Sequence, residues 1–122
     1  MTVVCVDTNR IVLFGLKNKV KKILPEADVY TCRNAADALS IAKEHGCDVL
    51  ITEIDFGREK EEGIRLAREM NELNPHVNII FATASSAKDY AQQIVKLHYS
   101  GYLTKPFSNE ELVWELVNLR YT

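Results

Sequence analysis

Five short apolar runs alternate with five stretches of helical periodicity, and this alternation restricts the fold more than any other feature. The runs fall at residues 3–6, 29–32, 49–51, 77–82 and 102–103 and are rich in β-branched or aromatic residues. The first, third and fourth lack polar alternation, as expected of central parallel strands covered on both faces. Strands that alternate with helices predict an α/β domain: a parallel sheet with helices packed on both sides.

The helical stretches carry their own boundaries. Over 9–24, Ile11, Val12, Phe14, Leu16, Val20, Ile23 and Leu24 are expected mainly on one side, and Pro25 stops the helix. Asn34, with Asp37 three residues later, predicts a capped helix running to His45 and ended by Gly46. Ile64, Leu66, Ala67, Met70 and Leu73 define a third helix, closed before Pro75. Ser86 and Asp89 open a fourth, with Ile94, Val95 and Leu97 as its apolar residues. Ser108-Asn109-Glu110-Glu111 is a capping-box pattern for a fifth, whose expected buried stripe is Leu112, Val113, Leu116, Val117 and Leu119.

Composition narrows the function classes. The 122 residues suit one domain with a real core, at 47% hydrophobic and 26% charged. The net charge of −2, with no basic stripe, argues against direct nucleic-acid binding. Lys17, Lys19, Lys21 and Lys22 form the one basic cluster, read as a solvated helix face. Cys5, Cys32 and Cys47 have neither disulfide nor zinc spacing and suit reduced core thiols of a cytoplasmic protein. His45, His76 and His98 are too scattered for a metal site. The amino terminus reads as a strand rather than a signal peptide, and the apolar run at 11–16 is too short to span a membrane.

In open α/β sheets the ligand site lies beyond the carboxyl ends of the strands. There this chain places Asp7, Thr8 and Asn9 after the first strand, and Glu53 and Asp55 after the third. Thr83, Ala84 and Ser85 follow the fourth, and Thr104, Lys105 and Pro106 the fifth. On an extended strand Glu53 and Asp55 would share a face. Gathered acids invite a cation such as Mg²⁺, and a lysine with a hydroxyl beside them suits phosphoryl oxygens. The plainer alternative is a set of ordinary polar residues at strand ends.

Ser100-Gly101-Tyr102-Leu103-Thr104-Lys105-Pro106-Phe107, with Ile79-Ile80-Phe81-Ala82-Thr83-Ala84 and Asp48-Val49-Leu50-Ile51, resembles response-regulator receiver domains. The resemblance covers residues 1–122, and from Asn74-Pro75 to Asn118-Leu119-Arg120 it is nearest to LytR-type receivers. It implies a flavodoxin-like, doubly wound, five-stranded parallel sheet of order 2-1-3-4-5 with five helices. It implies a non-enzymatic module of two-component or phosphorelay signalling, phosphorylated on an acid after the third strand with Mg²⁺ bound beside it. Carried over, Asp7 matches the first metal-binding acid, Thr83 the switch hydroxyl, Lys105 the phosphoryl-binding lysine and Tyr102 the aromatic that repacks with the switch.

Two positions depart from that pattern: Thr8 stands where a second acid is usual, and Glu53 occupies the phosphoacceptor position. The following loop carries Phe56-Gly57 and the charged run Arg58-Glu59-Lys60-Glu61-Glu62, and Gly63 comes two residues late. A glutamate places its carboxylate one methylene too far out, and in-line transfer tolerates little misplacement. Thr8 removes a charge from the metal site, so Mg²⁺ would be held weakly or not at all by Asp7, Glu53 and Asp55.

The expectation is an atypical receiver, a pseudo-receiver acting by protein–protein interaction. Glu53 either imitates a phosphoryl group, with about one negative charge against roughly 1.5–2, or merely pairs with Lys105. In the alternative Asp55, eight residues before Gly63, is the acceptor of an active receiver phosphorylated by a histidine kinase. A flavin carrier on the same fold lacks the Ser/Thr- and Gly-rich loop it would need after the first strand. Partners, whether output domain, kinase or a second copy, would meet the face built from parts of 87–97, 101–104 and 108–119. Trp114 on the fifth helix is either a core edge or an interface anchor. The sequence ends soon after that helix, leaving open a stand-alone receiver and one excised from a longer regulator.

Overall fold

The computed structural model describes residues 1–119, so Arg120, at the end of the LytR-like stretch, lies outside the described residues. Five parallel strands form one sheet of order β2-β1-β3-β4-β5. They are β1 (Thr2–Val6), β2 (Asp28–Cys32), β3 (Val49–Thr52), β4 (Asn78–Thr83) and β5 (Gly101–Thr104). The helices are α1 (Arg10–Ile23), α2 (Ala35–His45), α3 (Glu62–Leu73), α4 (Ala91–Ile94) and α5 (Asn109–Val117). This is the flavodoxin-like receiver fold predicted from the sequence.

The missing polar alternation has a direct cause. On one face Val4, Val6, Leu50, Ile79 and Phe81 pack against α2, α3 and α4 through Ala38, Ala42, Ile64, Leu66, Met70 and Ile94. On the other Val3, Cys5, Ile51, Ile80 and Leu103 pack against α1 and α5 through Leu13, Leu16, Val20, Leu112 and Leu116. Successive residues of one strand feed opposite cores, so both must be apolar. Cys5, Cys32 and Cys47 are buried free thiols, as expected, and burial pushes Cys32 and Cys47 up to about 12.

The predicted caps form. The Asn34 side chain accepts from the Asp37 N–H at 2.8 Å, and Gly46 ends α2 at φ 81°. Ser108 and Glu111 close their capping box on α5. A cap not foreseen from the sequence is Asn9, which accepts from the N–H groups of Ile11 and Val12 at the start of α1.

Three expectations are corrected. Ile11 and Phe14 are 84% and 70% exposed, because the buried stripe of α1 is Leu13, Leu16 and Val20. At about 100° per residue, neither lies on that stripe. On α5 the stripe is Leu112 and Leu116, continued by Leu119 just beyond the helix, while Val113, Trp114 and Val117 face outward. The fourth helix is brief: a 3₁₀ turn at Ala87–Tyr90 leads into the single α turn Ala91–Ile94, and Val95 lies exposed beyond it.

Candidate strand-end site

Register gathers the site. Val6 pairs with Thr52, and Thr83 with Thr104, so the next residues, Asp7, Glu53 and Lys105, emerge at the same edge. Backbone bonds extend this alignment past the strands: Glu53 N–H donates to Val6 O at 3.0 Å, and Lys105 N–H to Thr83 O at 2.7 Å. The Lys105–Pro106 peptide is cis.

Lys105 joins two acids. Its Nζ donates to Asp7 Oδ2 at 2.5 Å and to Glu53 Oε2 at 2.7 Å. The three side chains retain 24%, 7% and 13% of their exposure. The remaining carboxylate oxygens are also engaged. Asp7 Oδ1 accepts from Asn9 N–H at 2.9 Å, and Glu53 Oε1 from Ile54 N–H at 3.0 Å. Burial works against the Lys105 charge, but the bonds and charges of Asp7 and Glu53 outweigh it and raise its pKa above the ordinary 10.5.

Thr83 and Tyr102 meet at the backbone of Ser85. The Thr83 hydroxyl, nearly buried, accepts from Ser85 N–H at 3.5 Å. Tyr102 OH donates to Ser85 O at 2.8 Å, while its ring lies tilted against Phe81 at 6.1 Å. Burial pushes the Tyr102 phenol up to about 12.

Asp55 does not join the cluster around Lys105. Its Oδ1 accepts from Glu61 N–H and its Oδ2 from Tyr90 OH, each at 2.7 Å, with Lys60 Nζ 4.0 Å away. The shared face expected for Glu53 and Asp55 is lost because β3 ends at Thr52, after which period-two geometry no longer holds. The loop turns back on itself: Phe56 and Glu59 exchange backbone hydrogen bonds at 2.9 and 3.0 Å around Gly57, whose φ is 62°. Phe56 plugs into the core, and Glu61, at φ 59°, starts α3. A Cβ on Gly63 would lie 1.8 Å from the Glu53 carbonyl oxygen, so only glycine allows α3 to approach this closely.

The acids expected at a Mg²⁺ site are held by other groups here. An ammonium occupies the oxygens of Asp7 and Glu53 that face each other, and both Asp55 oxygens are committed elsewhere. Thr8 is neutral, and its carbonyl accepts from Arg33 Nε at 3.0 Å. Among the described residues no three His, Cys, Asp or Glu side chains are arranged to hold a metal. The sequence placed Ser85 at the end of the fourth strand without a role and did not point to Tyr90. Tyr90 lies 35 residues from Asp55, beyond the reach of any local spacing rule.

Comparison with known proteins agrees with this architecture. The family model described as response regulator receiver domain matches residues 3–117. The transcriptional regulatory protein HptR of Staphylococcus aureus is 29% identical over 115 residues, which cover 90% of this chain and 42% of that protein. The chain thus spans about two fifths of the length of that relative. A receiver-domain protein from Clostridium thermocellum superposes with a TM-score of 0.82 at 23% identity, covering 97% of this chain and 92% of that one. The Vibrio cholerae chemotaxis protein CheY4 gives a TM-score of 0.84 at 18% identity, covering 98% of each chain.

Proposed function

The chain belongs to the response-regulator receiver family of two-component signalling, and on that premise we propose that residues 1–122 form a pseudo-receiver that signals by protein contact without accepting a phosphoryl group. Receiver domains bind Mg²⁺ at their phosphorylation site and are typically non-enzymatic. In our reading this one has exchanged the metal and the phosphoryl group for an internal ion pair.

One observation carries the proposal: Lys105 Nζ is bonded to Glu53 Oε2 at 2.7 Å and also to Asp7. Glu53 reaches with its extra methylene the lysine that would otherwise serve phosphoryl oxygens. A carboxylate already held by an ammonium and a backbone N–H is a poor nucleophile, and in-line attack needs close positioning. Thr83 is directed to Ser85 N–H, so the contact supports Glu53 as an occupant of the lysine only, rather than a full phosphoryl mimic. Asp55 is no freer an acceptor than Glu53, since Glu61 N–H and Tyr90 OH engage both of its oxygens, and it lies away from Lys105.

The same reading places the domain in the cytoplasm; among the described residues no helix is long and apolar enough to cross a membrane. It assigns partner binding to the face formed by α4, β5 and α5, with no direct nucleic-acid contact by this domain. The partner would be an output domain, a kinase or a second copy. An NMR titration with Mg²⁺ and beryllofluoride tests the proposal. The expected result is no saturable shift at Glu53, Asp55 or Lys105; saturable binding there would overturn it.

A further inference from the structure

The segment between β4 and β5 meets the core through Ile94, with Tyr90 and Leu97 only partly buried against it. Its 3₁₀ turn, Ala87–Tyr90, buries no residue, and its single α turn buries only Ile94. A helix this short does not hold its shape alone. Ties to other elements must therefore set its position.

Two hydrogen bonds tie the helical turns to the β3–α3 side. Tyr90 OH donates to Asp55 Oδ2 at 2.7 Å, and Arg68 Nη2 donates to Gln93 O at 3.1 Å. The first is the stronger kind, because its acceptor is a carboxylate. The hydrogen bond to Asp55 also raises the Tyr90 pKa. Asp55 is itself fixed from the other side by Glu61 N–H. One carboxylate thus links the last residue of the long β3–α3 loop to the end of the 3₁₀ turn. Ser85, five residues before Tyr90, carries the second half of the path, since its carbonyl accepts from Tyr102 OH on β5.

We propose that Asp55 and Tyr90 form a latch that sets the position of the segment 84–97, and with it the surface that α4 and β5 present to a partner. The latch uses neither Glu53 nor Lys105, so it stands or falls separately from the pseudo-receiver reading. It gives Asp55 a positioning role in place of a metal-binding or phosphoryl-accepting one. It also accounts for the unusual loop: the Phe56–Glu59 turn takes up the extra residues and delivers the Glu61 N–H to Asp55. A ligand or partner that breaks the phenol–carboxylate bond would release the segment without disturbing the ion pair at the strand ends.

Amide hydrogen exchange of the full chain tests this in Tyr90→Phe, Asp55→Ala, the double variant and Glu53→Gln. Tyr90→Phe should speed exchange across 84–97 about tenfold, the factor expected for one hydrogen bond to a charged acceptor near the surface. Asp55→Ala should do the same and also loosen 56–61, and the double variant should be no faster across 84–97 than Asp55→Ala. Glu53→Gln should leave that segment as in the wild type. Exchange in Tyr90→Phe within about twofold of wild type would overturn the latch. So would multiplying effects in the double variant, or an equal rise in Glu53→Gln. Should Asp55→Ala fail to fold, Tyr90→Phe and Glu53→Gln decide the matter alone.

Discussion

Glu53 and Lys105, 52 residues apart in sequence, meet through a 2.7 Å hydrogen-bonded ion pair where β3 and β5 end. Asp7 joins the same ammonium from β1. Three strands are therefore tied together at one edge by a single side chain. The lysine supplies positive charge between two part-buried carboxylates.

Removing that charge should be costly. Lys105→Met leaves Asp7 and Glu53 facing each other with no cation between them. Breaking a fully buried pair costs about 3–5 kcal/mol; with Lys105 still a quarter exposed, about 2–3 kcal/mol is expected here. Urea unfolding at neutral pH measures it. The companion change Glu53→Gln keeps the Asp7–Lys105 bond and should cost roughly 1 kcal/mol.

Alkali should weaken the fold through Lys105 and Tyr102 and also through the buried thiols Cys32 and Cys47, which burial raises from 9.0 to about 12. The Lys105 pKa is raised above 10.5, so the folded chain holds this proton more tightly than the unfolded chain does. Its contribution is whole below that value and is lost as pH rises through the raised one. Tyr102 acts in the same direction, since burial moves its phenol from 10.0 up to about 12. The urea midpoint should be steady at neutral pH and fall above about pH 9, where the unfolded thiols begin to ionise, and more steeply above about pH 10 as Lys105 and Tyr102 join them. Tyr102→Phe should remove part of that alkaline slope.

Two backbone positions in the β3–α3 region should respond in opposite directions. Gly63→Ala forces a Cβ to within 1.8 Å of the Glu53 carbonyl, a clash only a backbone shift can relieve, and should cost about 3 kcal/mol or abolish folding. Glu61→Gly relieves a left-handed residue at φ 59° and should stabilise by about 0.5–1 kcal/mol. Its N–H to Asp55 survives the change. Thermal unfolding of the two variants checks both signs.

The single tryptophan distinguishes surface from core on α5. Trp114 is 66% exposed, so Trp114→Ala should change stability by no more than about 0.5 kcal/mol. Leu116, buried two residues on, should cost about 2–5 kcal/mol on truncation to alanine. Iodide quenching of tryptophan emission gives an independent reading and should be efficient.

The strands and caps were legible in the sequence because local rules govern them. Asn34, Gly46 and Ser108 act within a few residues of themselves, and buried parallel strands announce themselves by unbroken apolar runs. The meeting of Asp7, Glu53 and Lys105 followed from fold order alone, since each immediately follows a parallel strand and those strands end at one edge of the sheet. Other features depended on tertiary detail. Ile11, Phe14, Val113 and Val117 looked like core residues by type, and only the azimuth of the packed stripe excludes them. Ser86 and Asp89 signal a helix start, yet they open a 3₁₀ turn. The partners of Asp55 could not be read because the chain leaves strand geometry after Thr52, and Tyr90 arrives from a distant loop.

The central claim is that Glu53 holds Lys105 in place of a phosphoryl group. Incubation with acetyl phosphate and Mg²⁺, followed by intact-mass analysis, tests it most directly. The wild-type chain is expected to gain no phosphoryl adduct. A labile adduct that persists in Glu53→Gln and disappears in Asp55→Asn would show an active receiver using Asp55. An adduct lost in Glu53→Gln would show that Glu53 itself accepts phosphate. Either result would contradict the account.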